Sequence, residues 1–213
     1  DKGRFGGGFR SFKQAVTGAI EVAERAYQSP SHVTGIGTGF IKLDSLLGGF
    51  QKSDLIILAA RPAMGKTSLA TNMAFHAARE WMRTEGGSGG RVAFFSLEMS
   101  AEQLATRIMA EQAEVSSSHI RRGKLDERDM QALIRVGAEL ERLPLFIDDT
   151  GGLSIAQVAA RARRLARSGG LGLIIVDYLQ LLTGSSSKRN SESRVQEVTE
   201  ISKGLKTLAK ELS

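Results

Sequence analysis

Apolar and polar positions change period several times along the chain, and each change marks a predicted element. Over residues 11–27 the apolar side chains Phe12, Val16, Ala19, Ile20, Ala23 and Tyr27 recur at helical spacing. Lys13, Glu21, Glu24 and Arg25 fall off that stripe, which predicts an amphipathic helix. Residues 35–50 are punctuated by glycine, with a short apolar patch at Leu43, Leu46 and Leu47. They predict a turn, a brief helix opened by Thr38 or Asp44, and a second glycine turn. A run of β-forming residues from Leu55 then gives way, across a turn bearing proline and glycine, to a helix that opens at Gly65 and runs to about Met82. A surface loop follows at residues 84–90.

Beyond that loop, short apolar runs alternate with helical patterns. Residues 91–96 (RVAFFS) predict a buried strand, with Glu98 just past its carboxyl end. Ser100 caps the next helix, Gln103 stands at the capping-box position, and the pattern continues to about Ala113. Residues 116–124 hold a basic cluster, Arg121, Arg122 and Lys124. Asp126 opens a helix that reaches about Leu143, Pro144 leads into the strand LFIDD, and Thr150, Gly151 and Gly152 turn into a helix over 154–167. Residues 171–177 (LGLIIVD) are a strongly apolar strand ending in a carboxylate. A polar loop spans 184–193, and residues 194–212 form an amphipathic helix with Val195, Val198, Ile201, Leu205 and Leu208 on one side. Strands that alternate with helices imply an α/β fold with a parallel sheet and right-handed crossovers.

Composition narrows the picture. A chain of 213 residues accommodates one α/β domain with a substantial core. Residues 1–9 are glycine-rich and lack an initiator Met, so they read as a linker within a longer protein. No apolar run approaches the length of a membrane span, and no secretory segment opens the chain, so a cytoplasmic location is expected. The absence of cysteine excludes disulfides and cysteine-based metal sites. His32, His76 and His119 show no ligand spacing and read as surface or packing residues. Twenty-nine Lys and Arg against 23 Asp and Glu leave +6, a balance that favours a polyanionic partner. Two features stay open at this level. The first helix fits either packing on its own domain or docking on a neighbouring subunit, and Arg161, Arg163, Arg164 and Arg167 fit either a solvated basic face or a phosphate-tracking one.

The candidate chemistry centres on Ala60, Arg61, Pro62, Ala63, Met64, Gly65, Lys66, Thr67 and Ser68. They match the phosphate-binding loop GxxxxGK[ST] except that Ala60 stands at the first glycine. In such a loop backbone N–H groups close around phosphate oxygens, the lysine reaches the β and γ phosphates, and the hydroxyl, here Thr67, holds Mg²⁺. Asp177 closes an apolar run of the Walker B kind, where a carboxylate serves Mg²⁺. Glu98 is the candidate general base that orients an attacking water. All three features fall at the carboxyl ends of predicted strands, where ligands of open α/β sheets bind. They converge on nucleoside triphosphate hydrolysis.

The segments GIGTGFIKLDSLLGGF, AARPAMGKTSLATNMA, FFSLEMS, IDDTGGLSI, LIIVDYLQLL and EVTEISKGLKTLAKEL together resemble the motor domain of the bacterial replicative DNA helicase of the DnaB type. The resemblance covers residues 35–212 and accommodates Ala60. It implies a RecA-like P-loop NTPase fold, a mainly parallel sheet flanked by helices and preceded by a linker helix. Residues 1–34 would be linker and docking helix, and 35–213 a motor domain truncated at its C-terminal side, since the family's sensor strand, second DNA-facing loop and arginine finger have no counterpart here. It further implies an ATP- and Mg²⁺-dependent helicase of 5′–3′ polarity that translocates on single-stranded DNA at the replication fork. Lys66, Glu98 and Asp177 would be catalytic, Thr67 and Asp177 would serve the metal, and Lys188, Arg189 and Arg194 would face DNA. Partners implied are a homo-hexamer formed through helix 11–27, a primase and a helicase loader. Two other readings remain compatible with the sequence: a RecA- or RadA-type recombination ATPase, and a nucleotide- and partner-binding fragment without turnover.

Overall fold

The computed structural model describes residues 9, 11–28, 33–61, 63–182 and 191–212, with the backbone alone described at residues 25, 28 and 191–194. The order of elements is α1 (Phe12–Gln28), α2 (Ile41–Leu47), α3 (Lys66–Arg83), β1 (Val92–Ser96), α4 (Ala101–Gln112), α5 (Ser117–Arg122), α6 (Glu127–Leu140), β2 (Leu145–Asp148), α7 (Ile155–Arg167), β3 (Leu173–Asp177) and α8 (Ser191–Glu211). A single 3₁₀ turn, Leu179–Leu181, follows β3.

Among the described residues the sheet has three strands in the order β2-β1-β3, with both pairings parallel. The central strand β1 is buried along its whole length, as a parallel strand covered on both faces must be. Its side chains alternate between two cores. Val92 and Phe94 join Ala74, Ala77 and Ala78 of α3 and Leu104 of α4. Ala93 and Phe95 join Val158, Ala159 and Ala162 of α7 and Ile201, Leu205 and Leu208 of α8. The register carries this alternation across the sheet, because Phe94 stands opposite both Ile147 and Ile175. Small residues set the spacing on the first face: Ala74, Ala77 and Ala78 are fully buried, so α3 lies close against the strands. Each large core side chain contributes roughly 1.5–3 kcal/mol by leaving water. No described helix is long and apolar enough to cross a membrane.

Capping follows the expected chemistry. Ser100 and Gln103 close a reciprocal capping box on α4, Ser154 and Gln157 do the same on α7, and Asp126 accepts from Asp129 N on α6. The two helices on the second face meet closely at one point. A Cβ added at Gly204 of α8 would stand 2.6 Å from Ile155 Cγ1 of α7.

Two expectations need correction. Residues from Leu55 onward, expected to form the strand before the loop, enter no ladder among the described residues. Ile56, Ile57 and Leu58 are 50%, 65% and 41% exposed. A ladder requires an adjacent strand, and the described pairings of β3 are to β1 alone. Second, neither Thr38 nor Asp44 opens α2. Phe40 occupies its N-cap, and Asp44 Oδ1 instead accepts from Thr38 N at 2.7 Å, tying the preceding turn to the helix. The basic stretch at 116–124, for which the sequence made no structural prediction, contains α5, stopped by Gly123 at φ 65°. For α1, left open between packing on its own domain and docking elsewhere, Phe12, Ile20 and Tyr27 of the apolar stripe are 83%, 60% and 90% exposed.

Candidate functional site

The loop ahead of α3 ends at Gly65, whose φ of 83° lies in the left-handed region that a side chain resists. That backbone turn lets α3 begin directly at Lys66. Whereas α4, α6 and α7 are each capped by a side chain, no side-chain oxygen caps α3. Its first-turn N–H groups and the positive end of its dipole therefore remain available to an anion.

The first two residues of α3 meet the end of β3. Lys66 Nζ stands 3.1 Å from Asp177 Oδ1, and Thr67 Oγ1 donates to Asp177 Oδ2 at 2.6 Å. Both carboxylate oxygens are thus engaged, and the Asp177 side chain is only 5% exposed. The lysine keeps 26% of its side-chain surface in contact with solvent. Its ammonium also lies over the Tyr178 ring, 4.2 Å from the centroid. Thr71 Oγ1 donates to the Thr67 carbonyl at 2.7 Å, bracing the turn that presents the hydroxyl. From α4, Arg107 Nη1 donates to Ser68 Oγ at 3.2 Å.

Strand pairing brings the third candidate to the same end of the sheet. Ser96 stands opposite Asp177, and Leu97 N donates to the Asp177 carbonyl at 2.8 Å. Glu98 is the next residue, exposed in the turn between β1 and α4. That turn is fixed at both ends. Ser96 Oγ donates to the Met99 carbonyl at 2.6 Å, and Asp149 Oδ2, just beyond β2, accepts from Ala101 N at 2.9 Å.

Ala60, Arg61, Ala63 and Met64 form an exposed loop, with Ser68 exposed on the first turn of α3, while Pro62 lies outside the described residues. Lys188 and Arg189 also lie outside them, as does the side chain of Arg194 on α8. The arginines of α7 divide. Arg161 Nη1 donates to both oxygens of Asp148, at 2.8 and 2.6 Å, and to Thr150 Oγ1 at 2.8 Å. Arg163 forms a two-pronged pair with Glu211, Nε to Oε1 at 2.8 Å and Nη2 to Oε2 at 2.7 Å. Two of the four are therefore internal braces rather than parts of a free basic face. Burial pushes the Asp148 carboxyl up, but the hydrogen bonds from Arg161 and Thr150 outweigh it and hold it below the ordinary range. The Arg163 hydrogen bond lowers Glu211 in the same way.

Tyr178 and Arg107 were not singled out from the sequence. An aromatic residue directly after the strand-end carboxylate was a signal for the first. Nothing local marks the second, because its partner is on another helix.

Comparison with known proteins follows from this geometry. Residues 35–213 match the family model for the DnaB-like helicase C terminal domain. The replicative DNA helicase DnaB of Rickettsia bellii (strain RML369-C) is 45% identical over 201 residues, covering 93% of this chain and 40% of that protein. Among solved structures, one described as an ATPase domain superposes with a TM-score of 0.84 at 25% identity, over 96% of this chain and 69% of that one. A DnaB-like replicative helicase, described with its interactions with primase, superposes with a TM-score of 0.79 at 26% identity, over 96% of this chain and 46% of that one. The chain spans less than half the length of the curated relatives it matches.

Proposed function

Because this chain belongs to the DnaB-like helicase C-terminal domain family, we propose that it carries the ATP-hydrolysing motor of a replicative DNA helicase that moves along single-stranded DNA. The observation that carries the proposal is the convergence of Lys66 and Thr67 on Asp177, with the start of α3 left uncapped. In this reading the loop from Ala60 to Ser68 takes the triphosphate, and Lys66 leaves Asp177 to meet its β and γ oxygens. The Thr67 hydroxyl and the Asp177 carboxylate are hard oxygen donors already in contact, a set that fits Mg²⁺. When bound, that ion would supply positive charge to the phosphate oxygens. Glu98, solvent-exposed at the same sheet end, orients a water toward the terminal phosphate and accepts its proton.

The remaining assignments rest on the same reading. Residues 35–213 form the motor domain, and residues 1–34 form the linker and docking helix. The exposed apolar stripe of α1 supports docking onto a neighbouring copy in a hexameric ring. Lys188, Arg189 and Arg194 contact the DNA backbone. Primase and a loader are the protein partners, and the protein acts in the cytoplasm with 5′–3′ polarity. The test is ATP-dependent displacement of a strand from a fork with a 5′ tail by the complete protein, with Lys66→Ala as control. We expect displacement that the substitution abolishes. Hydrolysis and displacement that persist in Lys66→Ala would overturn the assignment.

A further inference from the structure

We propose that Tyr178 is a positioning residue for Lys66. The face of its ring and the Asp177 carboxylate together hold the ammonium at the loop, and an arriving phosphate takes the place of Asp177 while the lysine stays against the ring. Two consecutive residues at the end of β3 grip one cation. Asp177 Oδ1 lies 3.1 Å from Lys66 Nζ, and the Tyr178 centroid lies 4.2 Å from it.

The two contacts do different things. The carboxylate supplies most of the attraction but does not fix a direction, because an ammonium on a flexible four-carbon stem can swing about a single oxygen. The ammonium lies against Oδ1, while the other oxygen of Asp177 accepts from Thr67. The ring supplies the missing restraint. An aromatic face attracts a cation within about 6 Å of its centroid, and the ring's bulk closes one side of the ammonium's range. Being uncharged, the ring also does not repel an incoming phosphate, as a second carboxylate in its place would. Tyr178 is partly buried, so the ring is itself held. Leucine at this position would fill much of the space without a π face, and phenylalanine would keep the face.

The role in phosphate capture rests on the function proposed above, whereas the ring's hold on Lys66 does not, so the experiment has two arms. The first uses no nucleotide. Lysines of the complete protein are dimethylated with ¹³C, and the Lys66 resonance is assigned by its loss in Lys66→Arg. Lys66 should be displaced upfield by the ring current in the native protein and in Tyr178→Phe, and should move to the position of exposed lysines in Tyr178→Leu. The second arm titrates a fluorescent ADP analogue. Tyr178→Leu should weaken binding by about three- to tenfold, the range that a partly solvated cation–π contact spans. Tyr178→Phe should recover most of that loss. In a Lys66→Met background Tyr178→Leu should have no further effect, which a merely structural role would not produce.

A native Lys66 signal without ring-current displacement overturns the proposal, and the native spectrum decides this even if the leucine variant fails to fold. Displacement together with unchanged nucleotide affinity in Tyr178→Leu overturns the positioning role. A displaced Lys66 in a native protein that takes up no nucleotide supports the ring's hold and removes the phosphate-binding reading instead.

Discussion

Gly204→Val probes the closest approach between α7 and α8. The first added atom would stand 2.6 Å from Ile155 Cγ1, 3.5 Å from its Cδ1 and 3.8 Å from its Cβ. Carbon atoms in contact settle near 3.5–4.0 Å, so the helices must part by about 1 Å or Ile155 must leave its rotamer. Cγ1 is close to the backbone of Ile155, so a flexible tip cannot simply turn away. Overpacking of this kind costs about 1–3 kcal/mol, and valine adds two more methyl carbons to a position where even the first does not fit. Against this, valine has the better helix propensity by a few tenths of a kcal/mol. The net loss should be about 2–3 kcal/mol, a fall in Tm of roughly 5–10 °C for a chain of this size. Denaturant and thermal unfolding of Gly204→Val, Ile155→Ala and the double variant form a cycle that isolates the contact. The double variant should regain at least about 1 kcal/mol relative to the sum of the two losses. A Gly204→Val protein as stable as the parent, or losses that simply add, would refute close packing of α7 on α8.

Two further outcomes follow from the site and its braces. Glu98→Gln should leave nucleotide binding within about twofold and slow hydrolysis by roughly 10²–10⁴, as loss of a general base does; unchanged turnover would remove Glu98 from that role. Arg161→Met should cost about 1 kcal/mol at neutral pH, because the pair with Asp148 is neither fully exposed nor deeply buried. The native Asp148 carboxyl sits below its ordinary value, so its contribution is complete above that value and is lost as pH falls through the lower native one. The difference between Arg161→Met and the parent in urea midpoint should therefore shrink below about pH 4, and a constant difference down to about pH 2.5 would contradict the assignment.

What could be read from the sequence was what local chemistry decides. Ser100 with Gln103 and Asp126 announce helix starts through bonds made within four residues, and all three cap as expected. The apolar run ending at Asp177 becomes β3, because its composition suits burial between two helix layers. The glycine and lysine of the loop place the start of α3, with Gly65 at its N-cap. What could not be read depends on partners distant in sequence. Leu55 to Leu58 have strand composition, but composition does not supply a neighbouring strand. Arg161 and Arg163 lie on one helix like any solvated basic face, and only folding brings Asp148 and Glu211 to them. Tyr178 stands directly after the strand-end carboxylate, but only folding places the lysine of another element over its ring.

The hydrogen bond from Thr67 to Asp177 joins residues 110 positions apart. Closing a loop of that length in an otherwise unstructured chain costs about 4 kcal/mol in entropy, so the bond forms only after β1 and β3 have drawn the chain together. The site is thus a late product of folding, not a nucleus for it. A ligand that recognises Lys66, Thr67 and Asp177 together has nothing to hold in a chain that has made α3 and α7 but not the ladder between β1 and β3. Such a ligand would slow unfolding while leaving the early refolding steps at their own pace, and its binding would count only chains whose sheet is complete.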